Sequence, residues 1–274
     1  MSDGIRQFTW NGQTHRGRVR RNNEDAFLAI TFDQHEMHYL GKVGEAPADD
    51  NDFIFAVSDG MGGAKKGEYA SKTALQTLTD LISRKFHRGK ADAELDKEAV
   101  LREFFQAVHE GVQNVGRYYE ECRGMGATMS LCWFSGNTLL VGHVGDSRVY
   151  HFPNGGGLNQ ITEDHTVPGR LRREGKITER EARNHPNKHL LERSIGSQPD
   201  PVEPQITSLQ FEAGDRFALC TDGVTDGIWD HGMERYIQDP PPYLVDLPPA
   251  QRLIKEAMEA SGRDNLTALV VETA

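Results

Sequence analysis

The sequence predicts one domain of mixed strand and helix. Three observations lead there. Short runs rich in β-branched and aromatic residues recur along the chain; two long segments carry apolar residues at helical spacing; and the 274 residues contain neither an internal repeat nor a low-complexity linker that would divide them. A single core of this size is well within what one domain can bury.

The strand candidates, in order, are residues 26–32, 53–58, 128–134, 138–144, 148–152, 216–220 and 266–271. One helix is expected over 67–86, where Ala74, Leu75, Leu78, Leu81 and Ile82 share a face, and a second over 95–122, striped by Val100, Phe104, Val108, Val112 and Val115. Packing accounts fully for both stripes. Pro153 through Gly157 joins two strand-like segments as a hairpin loop. Residues 163–193 are heavily charged, helix-prone and broken by Pro168, Gly175 and Pro186, which suits an exposed flap with a solvated surface. The prolines of 239–249 exclude a regular helix or a central strand there, leaving a connecting loop. Arginines alternate through 16–21, a pattern that suggests a strand with one side's arginines pointing inward.

Composition narrows the function. A formal net charge of -10 argues against a sequence-independent hold on nucleic acid, which needs clustered Lys and Arg. The cysteines, Cys122, Cys132 and Cys220, show no CxxC spacing and cannot all pair, so a reducing compartment is expected. The first residues lack a signal-like pattern, and no apolar run approaches the ~20 residues of a membrane span. The expected protein is soluble and cytoplasmic, with no membrane partner.

The informative feature is a set of acids at the ends of apolar strands: Glu24 and Asp25, Asp59 before Gly60, Asp146, Asp222 before Gly223, and Asp264. Aspartate is disfavoured in strands, and an unpaired buried carboxylate would rather take up a proton. Several such groups converging need positive charge, and few basic residues stand at the same positions, so bound cations are the economical answer. The candidate ligands are all oxygens, which points to a hard ion such as Mg²⁺, Mn²⁺ or Ca²⁺. Any single Asp-Gly is more often a turn. A calcium-loop match beginning at Asp222 fails at Val224 and Met233. The glycine-rich run from Asp59 to Gly67 lacks the terminal Gly-Lys-Ser/Thr of a nucleotide-binding loop; its glycines suit close backbone approach to a metal and to the following helix. Arg20, four residues before Glu24, is placed to grip a phosphate through paired hydrogen bonds.

Arg20 to Asp25 (RRNNED), Ser58 to Gly63 (SDGMGG), Gly124 to Thr128 (GMGAT), Val144 to Val149 (VGDSRV), Cys220 to Asp226 (CTDGVTD) and Asp264 to Thr267 (DNLT) follow one another in an order that resembles the metal-dependent type 2C protein phosphatases, particularly their compact bacterial members. The resemblance implies an α+β fold, a four-layer α-β-β-α sandwich of two mainly antiparallel sheets flanked by helix pairs, spanning 1–274 with a flap at about 163–195. It implies hydrolysis of phosphoserine and phosphothreonine by a water activated between two Mn²⁺ or Mg²⁺ ions, without a phosphoenzyme. Asp59 resembles the bridging carboxylate, Asp222 and Asp264 ligands of one ion, and the Gly60 carbonyl a ligand of the other. Glu24 resembles the acid that holds the reactive water or ligates directly, and Asp25 a supporting acid. Asp146 with Asp222 resembles the pair that holds a third ion. Arg20 becomes the phosphate clamp. One position departs from the pattern: Met61 stands where many eukaryotic members carry a histidine, so the proton for the leaving oxygen is expected from water at the metals, with His165 and His185 as weaker candidates. Phosphorylated proteins are the implied partners, notably a bacterial Ser/Thr kinase and its substrates, in a signalling role. The rival readings are a catalytically silent relative that binds phosphoproteins and a metal-dependent nuclease or phosphodiesterase.

Overall fold

The computed structural model describes residues 5–33, 35–49, 51–62, 65–86, 96–197 and 199–274. In chain order its strands are β1 (Gln7–His15), β2 (Asp25–Phe32), β3 (Met37–Tyr39), β4 (Val43–Pro47), β5 (Asp52–Met61), β6 (Gly126–Ala127), β7 (Met129–Ser135), β8 (Thr138–Val144), β9 (Arg148–Phe152), β10 (Asn159–Gln160), β11 (Gln205–Gln210), β12 (Arg216–Cys220) and β13 (Leu266–Thr273). The helices are α1 (Lys65–Phe86), α2 (Lys97–Tyr118), α3 (Val167–Arg173), α4 (Glu179–Arg183), α5 (Asp222–Gly227), α6 (Asp230–Gln238) and α7 (Pro249–Ala260).

The strands form two antiparallel sheets. The first runs β10-β9-β12-β13-β1-β4 and the second β11-β8-β7-β5-β2-β3, with the short β6 paired to the end of β5. Strand periodicity explains how they stack. Along β5, Phe53, Phe55 and Val57 face the other sheet, whereas Ile54 and Ala56 face α1 and α2. Along β13, Leu269 and Val271 join the layer between the sheets, and Leu266, Ala268 and Val270 face α5, α6 and α7. The result is the expected four-layer sandwich, except that the helical layer on the first sheet contains three helices rather than a pair. Its central layer is aromatic: Phe134 makes edge-on contacts with Phe55, Phe211 and Phe217 at centroid separations of 5.9, 5.3 and 5.2 Å.

The seven strand candidates and both long helices are present. Gly63, Ala64 and Leu95, which fall in the expected loop and helix start, lie outside the described residues. The arginine run is a correction: β1 ends at His15, and 16–24 is a loop, because Gly17 adopts φ 79° and breaks the extended path. The proline-rich connection is a loop up to its last residue, where Pro249 opens α7, a position at which a missing N–H costs nothing. No helix among the described residues is long and apolar enough to cross a membrane.

Candidate metal centre

Five segments deliver six acids to one end of the sandwich. Glu24 closes the loop before β2 and Asp25 begins that strand, while Asp59 lies near the end of β5. Asp25 and Asp59 are directly opposite partners in the β2–β5 ladder, an arrangement that like charges disfavour. Asp146 follows β8, Asp222 opens α5 just past β12, and Asp264 precedes β13. Two sheets therefore contribute to one locus.

Glu24, Asp59, Asp146, Asp222 and Asp264, with Gly60, line a cavity of about 1050 Å³. Asp25 does not line it. That carboxylate lies behind the cavity, buried, with Oδ2 accepting from Thr221 Oγ1 and Thr267 Oγ1, both at 2.8 Å. Burial outweighs those hydroxyls and raises its pKa to about 7, with Asp222 and Asp264 adding repulsion. Burial likewise holds Asp59 well above the usual carboxylate range, reinforced by Asp25, Asp222 and Asp146. Asp146 is raised well above it by burial and then by Asp222, and Glu24 is raised by burial against the opposing pull of Arg20.

The backbone around these acids is tightly held. Thr128 Oγ1 accepts from the Asp59 N–H at 2.9 Å, and Ser58 Oγ donates to the Thr128 carbonyl at 2.7 Å. Ser71 Oγ, on α1, donates to the Glu24 carbonyl at 2.6 Å. The start of α1 presses so closely on this corner that a Cβ on Gly67 would overlap the Glu24 carboxylate and the Gly60 carbonyl. Asn265 is the residue whose importance sequence reasoning missed. Its Oδ1 accepts from the Glu24 N–H at 2.8 Å, and its Nδ2 donates to the carbonyls of Arg16 and Asn22 at 2.8 and 2.9 Å. It thus ties the arginine-bearing loop to the turn before β13. Arg20 reaches the cavity with its guanidinium 2.7 Å from Asp264 Oδ2.

Residues of the 163–195 segment contribute more than expected. Arg183 donates to the carbonyls of Thr225 and Ile228 at 2.6 and 2.8 Å and lies over the Trp229 ring, and Lys188 pairs with Asp226 at 2.8 Å. His189, to which the sequence drew no attention, stands 3.8 Å from Asp222 and lines the cavity. Only a tertiary contact reveals it. His165 is structural: buried, its Nδ1 accepts from the Gly145 N–H at 3.1 Å, and burial lowers its pKa to about 3. His185 caps a local turn through Asn187 N–H at 3.1 Å. Neither lines the cavity, whereas Met61 does.

The model of protein phosphatase 2C matches residues 44–268. The chain belongs to the protein phosphatase 2C family. It is 32% identical over 263 residues to the serine/threonine protein phosphatase PstP of Mycobacterium tuberculosis, covering 95% of this chain but 44% of that protein. The chain therefore spans under half the length of that relative. It is also 32% identical over 263 residues to the serine/threonine phosphatase stp of Listeria monocytogenes, covering 95% of this chain and 94% of that one. A solved structure of the PstP catalytic domain, in complex with two manganese ions, superposes with a TM-score of 0.75 at 30% identity, covering 98% of this chain and 99% of that chain.

The residues of this protein phosphatase 2C member fit a hard cation. Every donor facing the cavity from the acid cluster is an oxygen. Two buried oxygens, Asp25 Oδ1 and Asp222 Oδ1, have no hydrogen-bond partner, a costly state that a nearby positive charge would relieve. Among the described residues, no three Asp, Glu, His or Cys side chains close around one point as a finished cage; the carboxylates line a shared wall instead.

Proposed function

We propose that the chain is a metal-dependent protein serine/threonine phosphatase that hydrolyses phosphoserine and phosphothreonine by direct attack of water. The observation that carries this reading is the concentration of Asp59 and Asp146 at one cavity beside Arg20, with Asp25 buried behind it, all three raised in pKa by burial and by neighbouring carboxylates. Such a cluster is unfavourable unless positive charge joins it.

Asp59, Asp222, Asp264 and the Gly60 carbonyl would hold two divalent cations, Mn²⁺ or Mg²⁺, and Asp146 with Asp222 a third; the two manganese ions of the PstP catalytic domain support the pair. These ions would supply Lewis acidity that makes water a competent nucleophile at neutral pH and offsets charge on the phosphoryl oxygens. The chain's own groups do the rest. Glu24 orients the attacking water, and its backbone is fixed for that task by Asn265 and Ser71. Asp25 reinforces the negative field from behind, itself aligned by Thr221 and Thr267. Arg20, half-exposed and reaching in from a loop, grips the non-bridging phosphoryl oxygens and so holds the phosphorus for water to attack in line with the departing oxygen. Met61 cannot donate a proton, so the leaving oxygen takes one from water. The segment 163–195 acts as a flap over the cavity mouth. Phosphorylated proteins of the cytoplasm, including a Ser/Thr kinase and its targets, are the substrates this reading assigns.

The test is phosphate release from a phosphothreonine peptide by metal-stripped protein, with and without Mn²⁺, beside Asp222→Asn. Hydrolysis is expected only with metal and is expected to collapse in the variant; well-folded, metal-loaded protein that releases no phosphate would refute the reading.

A further inference from the structure

The cations around the cavity are not equivalent. Arg20 is paired with Asp264, Lys188 with Asp226, and Arg183 is spent on two backbone carbonyls. Arg18 and Arg263 also line the cavity, both exposed, and among the described residues neither has a carboxylate within 4.0 Å. In a chain of net charge -10, two exposed guanidiniums without an ion pair at the cavity are a local source of positive charge.

Their placement is built rather than incidental. The Arg18 N–H donates to the Gly262 carbonyl at 2.7 Å, locking the loop after β1 against the turn before β13. Gly17 (φ 79°) and Gly262 (φ 62°) make that interlock possible, since a Cβ on Gly17 would overlap the Asp264 carbonyl. The Arg18 stem then lies across Gly262, at 3.3 Å from where a Cβ on that residue would sit. Opposite ends of the sequence thus bring two arginines to the cavity that Arg20 also lines, with Glu259 as a further lining residue.

We propose that Arg18 and Arg263 form a subsite for an acidic side chain flanking the phosphorylated residue, so that the preferred substrates are phosphoproteins with Asp or Glu close to the phosphoserine or phosphothreonine. The inference rests on the phosphatase reading and deepens it. Exposed guanidiniums with no carboxylate within ion-pair distance can take an incoming carboxylate in paired hydrogen bonds, and exposure keeps each contact modest.

Mn²⁺-loaded protein is assayed on phosphothreonine peptides whose flanking positions are scanned with Ala, Asp or Lys, with p-nitrophenyl phosphate as a substrate that has no flank. The expected result is a KM roughly 3- to 10-fold lower for the best Asp peptide than for its Ala counterpart, with kcat unchanged. Arg18→Ala with Arg263→Ala should abolish that preference, and Arg18→Glu with Arg263→Glu should invert it toward Lys peptides, both leaving p-nitrophenyl phosphate turnover at the wild-type rate. Inversion is a signature that a merely structural role would not give. Equal KM values across the wild-type scan, or a preference that survives both double variants, would overturn the proposal while leaving the phosphatase reading intact. Loss of p-nitrophenyl phosphate turnover in the variants would reassign the arginines to the fold and overturn it too. A wild-type protein inactive on every substrate would refute the phosphatase reading, and the subsite with it.

Discussion

Asp164 and Asp59 are both enclosed carboxylates, and their surroundings differ in kind. Asp164 receives the Arg148 guanidinium through two hydrogen bonds of 2.8 and 2.6 Å, and that cation holds its pKa below the usual value despite burial. Asp59 faces Asp25 across a strand ladder, has Asp146 and Asp222 nearby, and is held well above the usual value. The first is a finished ion pair that pins the segment after β10 to β9. The second is an unfinished one, whose missing partner must come from solution. A buried acid's partner, more than its burial, separates structural from functional charge.

The contrast can be broken experimentally. The largest effect is expected from Arg148→Ala, which strands Asp164 without its cation: about 3–5 kcal/mol of stability should be lost, read by urea denaturation. Asp59→Asn should do the reverse, cutting Mn²⁺-dependent phosphate release by at least about a hundredfold, about 2.7 kcal/mol of barrier, while metal-stripped protein melts no lower than wild type. A lower melting temperature in Asp59→Asn would mean that the carboxylate is structural after all. Asn265→Ala, which frees the loop carrying Arg20 and the Glu24 backbone, should lower kcat/KM by about 10- to 100-fold in steady-state assays, with a smaller loss of stability.

His143 sharpens the comparison from a third direction, since it is enclosed and satisfied without charge. Its ring exchanges hydrogen bonds with Ser130 Oγ at 2.8 Å and the carbonyls of Gly145 and Glu163 at 2.9 and 3.1 Å, and burial pushes its pKa down to about 4. The unfolded chain takes up this proton first, at about 6.5. The contribution of His143 to stability is therefore complete above pH 6.5 and is lost as pH falls toward 4. NMR titration should show this imidazole neutral throughout pH 7 to 5; a transition near 6.5 would contradict the burial argument.

Much of this was legible in the sequence, for local reasons. The strands that match to within a residue or two, such as β8 and β9, carry dense β-branched and aromatic runs. The acids that line the cavity sit in short motifs, so their neighbours announce them. What escaped depends on partners far along the chain. In β1, Phe8 and Trp10 alternate inward but Asn11, Gly12 and Gln13 dilute the signal, and β11, QITSLQ, is a polar edge strand. The α7 stripe of Ala250, Leu253, Ile254 and Ala257 was readable and was hidden by the prolines before it. Thr221 and Thr267 hold Asp25 only because β12 and β13 pair in their particular register, a fact no motif contains. His189 and Asn265 belong to the same class.

The position of β13 has a consequence for synthesis on the ribosome. Residues 266–273 form a strand inside the first sheet, hydrogen-bonded to β1 on one side and β12 on the other. Until that segment has emerged, the earliest strand of the sheet has no neighbour on that side, and Asp264 is not in place beside Arg20. A nascent chain therefore cannot display the completed carboxylate cavity until that segment is made, and the activity proposed for the cavity waits on the order in which the sheet is threaded.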